Sequence, residues 1–333
     1  MTADALRIAT AILSRFPLSR QYIWQKHDAA RGAVYNACMT GEAPDLIAII
    51  GPTAAGKSAR AMMLAPQVNG EIVSADSRHI YRRMDIGTNK PTPEEQRQVR
   101  HHLIDLRDPH EHFSLGEYVE LAWTAIADIR ARGKTPLLVG GTGQYVRAVL
   151  RGWRVPPVPP HNALREKWTR YAQERGQDAL FAALVARDPD AARTIDPRNT
   201  RRVVRALEVM EVTGQRWSEL QRSERPTLRT EVIYVNLPRP ELYARADARL
   251  AYMIEQGWLA EVETLLDFFA QHGLDANAAL RLPSMSALGY REMAMVALGR
   301  MTLDQAIEAI KRATRRFIRA QDTWFRKDAQ QAI

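Results

Sequence analysis

Leu46-Ile47-Ala48-Ile49-Ile50 runs straight into Gly51-Pro52-Thr53-Ala54-Ala55-Gly56-Lys57-Ser58. Five apolar residues closed by a glycine read as a short buried strand. The eight that follow match a phosphate-cradling loop at every fixed position. Each residue type has a physical task. Gly51 and Gly56 permit the tight turn, and the backbone amides between them can turn toward phosphate oxygens. Lys57 adds a point charge, and the Ser58 hydroxyl can ligate Mg²⁺. A helix starting near Lys57 brings its positive dipole end to the same spot.

Outward from the cradle, strand and helix patterns alternate, which predicts an α/β fold: a P-loop kinase-like parallel sheet with helices on both faces. Glu71-Ile72-Val73-Ser74-Ala75 reads as a second strand ending in Asp76-Ser77, and Leu137-Leu138-Val139 as a later one running into Gly140-Gly141-Thr142-Gly143 before a helix from Gln144. Ligands in such sheets bind beyond the carboxyl ends of the strands. Asp76 and Thr142 are therefore expected beside the cradle. Phosphoryl transfer on a P-loop adds an acid after a run of apolar residues, yet here Leu137-Leu138-Val139 leads into glycines. The acid at a strand end is Asp76, placed to act as a base toward a bound acceptor. Both Asp76 and Thr142 have a second reading as helix caps.

Val155-Pro156-Pro157-Val158-Pro159-Pro160 works as a stiff extended linker and marks a boundary. From Asn162 to about Glu224 the pattern is helical, with Asp188-Pro189 and Asp196-Pro197 as helix-start punctuation. Glu231-Val232-Ile233-Tyr234-Val235 returns to strand character, so the helical block is an insertion. The expected organisation is an N-terminal extension without fixed structure (1–45), a first core segment (46–154), an α-helical insertion domain (155–225), and a second core segment with C-terminal helices (226–333). The extension reads as a dispensable tail or an over-extended translation start, with Arg7, Arg15, Arg20 and Lys26 faintly like a transit peptide.

With 47 basic against 38 acidic residues the chain carries +9, which favours a polyanionic partner. No stretch approaches the ~18 apolar residues of a membrane helix. The single cysteine, Cys38, rules out an internal disulfide and a Cys-based zinc site. His101-His102 read as structural, lacking the spacing of a metal pair. Two basic clusters stand out. Arg198, Arg201, Arg202 and Arg205 recur at helical spacing, and near the C-terminus Lys311, Arg315 and Arg319 share a face with Arg312 and Arg316 beside it. In that last helix Ala306, Ile310, Ala313, Phe317, Ala320 and Trp324 are spaced as a buried seam.

These residues resemble the tRNA dimethylallyltransferases of bacterial type. The motifs run in order from the cradle through Ser74-Ala75-Asp76-Ser77, Ile80-Tyr81, Met84-Asp85-Ile86-Gly87-Thr88, Lys90-Pro91 and His102-Leu103-Ile104-Asp105. They continue through Gly140-Gly141-Thr142 with Tyr145, Arg205-Ala206-Leu207-Glu208-Val209, Arg245, Arg249, Glu255-Gln256-Gly257, Glu261-Val262 and Leu288-Gly289-Tyr290. Arg315-Arg316-Phe317, Gln321 and Thr323-Trp324-Phe325-Arg326 close the set, so the resemblance covers Leu46 to about Arg326. It implies transfer of a dimethylallyl group from dimethylallyl diphosphate to N6 of the adenosine immediately 3′ of the anticodon, in tRNAs reading codons that begin with U.

On that resemblance Gly51, Pro52, Thr53, Ala54, Ala55, Gly56, Lys57 and Ser58 hold diphosphate and no nucleotide, with Mg²⁺ on Ser58. Asp76 is the catalytic carboxylate, Thr142 hydrogen-bonds near the reacting oxygen, and Arg249 contacts phosphate. Asp76, Ser77, Arg78, His79, Arg165, Arg201, Arg202, Val203, Val204 and Arg205 are expected to contact the tRNA anticodon stem-loop. The resemblance further implies a cytoplasmic enzyme with no membrane association, acting as a monomer. Ser58 replaces a commoner threonine, Gln144 a commoner apolar residue, Ala320 interrupts a basic run, and the first 45 residues match nothing in the family. Two readings of other classes stay open on the residues alone: a small-metabolite kinase that binds ATP, and an RNA-binding protein with a vestigial cradle.

Overall fold

β1 (Leu46–Ile50) is buried at all of its positions, as a strand covered on both faces must be. The computed structural model describes residues 44–331 apart from Arg154, Pro157 and 221–227, with side chains as far as Arg326. Expectations placed on residues 1–43, Cys38 among them, lie outside that range. From Asp45 onward the chain is one unit.

After β1 come the cradle and helix α1 (Lys57–Leu64), then β2 (Gly70–Ser74), α2 (Pro93–Gln98), β3 (His101–His102), α3 (Leu115–Ala131), β4 (Thr135–Gly140) and α4 (Gly143–Leu150). β5 (Thr230–Tyr234) completes a five-stranded sheet in the order β3-β2-β4-β1-β5, parallel throughout. Side chains alternate between faces along each strand. Leu46, Ala48, Ile50, Val73 and Leu138 join a core with Tyr118, Ala122 and Ile126 of α3 and Val146 and Val149 of α4. The opposite face is covered by α1, which packs on β1 and β4. Since every strand points the same way, the ends of β1, β2, β4 and β5 deliver their loops to a single edge.

The insertion is α5 (Asn162–Arg175), α6 (Gln177–Arg187), α7 (Pro189–Thr194), α8 (Thr200–Thr213) and α9 (Trp217–Leu220). It buries a core of its own, built on Trp168, Leu180, Leu184, Val203, Leu207 and Trp217. Asp188 caps α7 by accepting from the Ala191 amide. Asp196-Pro197, expected to start a helix, forms a turn instead: Asp196 accepts from the Arg198 amide, and α8 begins later with Asn199 as its cap.

The remaining helices are α10 (Arg239–Glu255), α11 (Trp258–Gln271), α12 (Ala276–Leu280), α13 (Tyr290–Ala297) and α14 (Leu303–Gln331). Leu250, Met253, Trp258, Val262, Phe269, Tyr290, Met293 and Ile310 form a further core among them. The seam expected along α14 holds only in its first half. Ala306 and Ile310 are buried, but Phe317 is 41% and Trp324 39% exposed, and Ala320 is exposed too. In the second half the buried residues are Ile318, Gln321, Asp322 and Phe325. At about 100° per residue the buried side has turned roughly a quarter of the way round the helix. The reason is a change of partner: Ile310 belongs to the core around Trp258, whereas Ile318 packs with Ala55, Leu242 and Ala246, and Phe325 with the sheet core.

Candidate active site

Gly51 opens the cradle with φ +147, and a Cβ there would lie 2.0 Å from the Val235 carbonyl oxygen, so only glycine lets the loop leave β1 beside β5. Ala54 takes φ +66 and Gly56 φ +95, a sparsely populated backbone for alanine and one that turns successive amides inward. Lys57 begins α1, and its ammonium donates to the Pro52 carbonyl at 2.8 Å, closing the loop on itself. Burial brings its pKa down to about 8; the Asp76 carboxylate opposes that shift and the Arg249 guanidinium adds to it. Those three charges therefore share one site at the carboxyl edge of the sheet.

Asp76 follows β2 and accepts from the Arg78 amide at 2.9 Å through Oδ1. This is a local turn contact, and it leaves Oδ2 without a partner among the described residues. Arg249 projects from α10, where burial lowers its pKa from the ordinary guanidinium value. Among the described residues its side chain makes no hydrogen bond or close ion pair. A half-buried guanidinium with no hydrogen-bonded acceptor suits an incoming anion, and this one faces the cradle's lysine and the Asp76 carboxylate, which acts on it through space. Thr142 occupies the cap position of α4, yet its side chain caps nothing. Its Oγ1 instead accepts from the Ser77 amide at 3.0 Å and donates to the Ser77 hydroxyl over a long 3.4 Å contact, which ties the loop after β4 to the loop after β2; a ligand oxygen need only draw the hydroxyl proton away from that weak acceptor. Ser58 is exposed on the first turn of α1, with no side-chain hydrogen bond among the described residues.

The expected RNA contacts fall into three groups. Ser77 and Arg78 continue the Asp76 loop, where Arg78 donates to the Pro283 carbonyl. His79 is held between Ser74 Oγ (3.2 Å) and the Thr88 carbonyl (3.3 Å) and serves as an internal tie. On the insertion, Arg201 and Arg202 stand at the start of α8 with side chains unpartnered among the described residues. Val203 and Val204 are buried in the insertion core, so their side chains do not face RNA. Arg165 and Arg205 both reach Glu208, fully buried, at 2.9 and 3.0 Å, and Arg205 also donates to the Val158 carbonyl. Burial raises the pKa of Glu208, but donation from the His161 amide and the two guanidinium groups outweighs this and holds it low. In the C-terminal cluster Arg315 pairs with Asp247 at 2.7 Å and Arg319 reaches the Tyr243 hydroxyl. Arg312 and Arg316 are exposed without such partners among the described residues.

His102 pairs with buried Glu71 at 2.7 Å and His101 bonds the Val99 carbonyl, which is the structural role expected of them. No group of three His, Cys, Asp or Glu side chains able to hold a metal occurs among the described residues. Gln144 is exposed on the first turn of α4, two residues after Thr142. Gln321 joins the site although its place in the sequence gives it no chemical task. Its side chain bonds both the cradle and the Gly141 carbonyl. The signal is a polar pair, Gln321-Asp322, between Ile318 and Phe325 on the buried side of α14.

Fold and site define a parallel α/β protein of the P-loop type, whose cradle faces a carboxylate, a threonine hydroxyl and an unpartnered arginine. The family model described as IPP transferase matches residues 79–328. A tRNA dimethylallyltransferase from a Roseiflexus species is 53% identical over 85% of this chain and 90% of its own length, and one from Chloroflexus aurantiacus is 52% identical over 85% and 93%. The crystal structure of a full-length tRNA isopentenylpyrophosphate transferase from Bacillus halodurans is 39% identical, with TM-score 0.58 over 84% of this chain and 86% of that one. That of a eukaryotic dimethylallyltransferase acting on tRNA is 28% identical, with TM-score 0.69 over 84% and 69%. The chain belongs to the IPP transferase family.

Proposed function

We propose that this protein transfers the dimethylallyl group of dimethylallyl diphosphate to N6 of adenosine 37 of tRNA, in tRNAs reading codons that begin with U, releasing diphosphate. The observation that carries the reading is the convergence of Lys57, partnerless Arg249 and Asp76 on one edge of the sheet. The cations suit a diphosphate, and the carboxylate suits an acceptor that must lose a proton. In the reaction the allylic C–O bond breaks and its electron pair passes to the diphosphate oxygen. The loop amides, Lys57 and Arg249 stabilise that charge as it develops. The Thr142 hydroxyl, its oxygen already accepting from Ser77, donates toward the departing oxygen. The N6 lone pair bonds to the freed carbon and the N6 proton passes to Asp76.

Mg²⁺ suits this donor set: Ser58 offers one exposed hydroxyl, and magnesium takes most of its remaining oxygens from phosphate and water. When bound it supplies further positive charge to the leaving group. Every group named belongs to one chain, so a monomer suffices. No helix among the described residues is long and apolar enough to cross a membrane, and we place the protein with its tRNA substrate in the cytoplasm. An adenine stacked in the anticodon loop cannot reach Asp76, so the base leaves its stack and enters the site from the RNA side. Arg201 and Arg202, whose side chains have no partner among the described residues, are the cations of the insertion that we assign to clamping phosphates.

The test is incubation with Mg²⁺, radiolabelled dimethylallyl diphosphate and an unmodified anticodon stem-loop. Label moves to RNA with the wild type, and Asp76→Asn lowers kcat by about 10²–10⁴-fold while pyrophosphate affinity holds. ATP consumption with no transfer to the loop or to full-length tRNA would move the reading to a kinase.

A further inference from the structure

Gln321 is 6% exposed on the inward side of α14. Its Oε1 accepts from the Thr53 amide at 2.8 Å, and its Nε2 donates to the Gly141 carbonyl at 2.7 Å. One side chain thus spans the cradle after β1 and the Gly-Gly-Thr loop after β4. The support behind it is stiff. Asp322, the next residue, accepts from Tyr234 Oη and Asn236 Nδ2 at 3.0 Å each, from Arg239 at 3.2 Å and from Arg326 at 3.0 Å. This pins α14 to the end of β5 at the level of the site. Gly141 is shaped around the contact, since a Cβ there would come 2.7 Å from Gln321 Nε2.

We propose that Gln321 is a positioning residue for the transfer reaction: it braces the diphosphate cradle against the loop that carries Thr142, fixing the gap in which the allylic bond breaks. The inference rests on the prenyl-transfer reading. A carboxamide is required because one end must accept from an N–H while the other donates to a carbonyl; glutamate meets only the first need and leucine neither. The brace also accounts for the Thr53 amide, which is committed to Gln321, so the phosphate-facing amides of the cradle lie further along the loop. Misplacing reacting groups by about 1 Å costs on the order of 10²-fold in rate, and among the described residues no other side chain hydrogen-bonds both loops.

Gln321→Leu is expected to lower kcat/KM for dimethylallyl diphosphate by roughly 30-fold or more and to weaken pyrophosphate binding measured by calorimetry. Affinity for tRNA without donor stays within about twofold, because Arg201 and Arg202 lie on a different element. Gly141→Ala pushes the carboxamide aside and reproduces the loss, and the double variant is no worse than the poorer single. Should Gln321→Leu not fold, Gln321→Glu keeps the Thr53 contact and shape, loses the donor to Gly141, and shows the same split between donor and tRNA parameters. Multiplying losses in the double variant, a donor kcat/KM within about twofold of wild type, or tRNA affinity falling in step with kcat would each overturn the brace. If wild-type protein transfers no label to any tRNA, the prenyl-transfer reading falls, while unchanged pyrophosphate affinity in Gln321→Leu separately refutes the brace.

Discussion

Lys57 is a cation kept close to neutral pH by its surroundings. Burial brings its pKa to about 8 from 10.5, with Asp76 opposing the shift and Arg249 adding to it. A diphosphate arriving in the cradle favours the charged form, so binding takes up a proton once the pH exceeds about 8. Pyrophosphate affinity is therefore expected to be level below that pH and to fall above it by up to about tenfold per unit, whereas Lys57→Arg, charged throughout, gives a level profile. Calorimetric titration of both proteins across that range checks the shift, and a level wild-type curve would count against it. The stability term has its own sign. The folded value lies below the unfolded one, so the unfolded chain binds more protons between about 8 and 10.5, and this group's contribution to stability rises with pH through that window. At this scale Lys57, Asp76 and Thr142 were legible because fixed spacing and strand ends place them. Gln321 was not, because its partners are a backbone amide and a backbone carbonyl, 268 and 180 residues away.

Along single elements the sequence misleads where a helix changes partner or a charge has an internal use. The seam of α14 is periodic from Ala306 to Trp324, but periodicity marks a stripe and not the neighbour that covers it, and α14 passes from one core to another. The arginine run of α8 reads in sequence as one RNA-facing set, and Glu208 divides it. Arg205 shares that buried carboxylate with Arg165, while Arg201 and Arg202 have no such partner among the described residues. Removing Arg165 or Arg205 leaves a buried carboxylate short of a donor and should cost about 1–3 kcal/mol, read as a lower unfolding temperature of the insertion. Arg201→Ala with Arg202→Ala should leave unfolding unchanged, raise the tRNA KM, and reduce the slope of log affinity against log salt by about one for each phosphate no longer neutralised. If Arg205→Ala unfolds like wild type yet changes the salt slope, Arg205 is a phosphate clamp after all, and its bond to Glu208 gives way on binding.

The whole molecule separates its chemistry from much of its bracing, and the parallel sheet is the cause. Loops from the carboxyl ends hold Lys57, Asp76 and Thr142, whereas the start of β2 carries Glu71, 1% exposed. Glu71 takes two bonds from Arg132 at 2.6 and 2.7 Å, one from Lys134 and one from His102, joining β2, β3 and the turn from α3 into β4. The parallel sheet and its helices were legible from the alternation of strand and helix. What each motif does was not, since several serve assembly: Glu261 accepts from the amides of Asp85, Ile86 and Gly87 and from the Tyr290 hydroxyl, and Lys90 is buried between Asp85 and Asp105. Glu71 tests the separation. The bond from Arg132, against the opposing effect of burial and with help from Lys134 and His102, holds its pKa far below the usual carboxylate range. A depressed folded value means its stabilisation is complete above the unfolded carboxylate pKa near ~4.3 and is lost progressively as pH falls below that toward the folded value. Glu71→Gln is therefore expected to lower stability at neutral pH by about 1–3 kcal/mol with kcat and both KM values unchanged at a temperature where it is folded. The gap in unfolding temperature between wild type and variant should narrow once the pH drops below that carboxylate range. Thermal unfolding at neutral and acid pH, run beside the transfer assay, decides it: a gap that persists in acid would show that Glu71 stabilises by shape rather than charge, and altered KM values would show that the amino end of the sheet reaches the site after all.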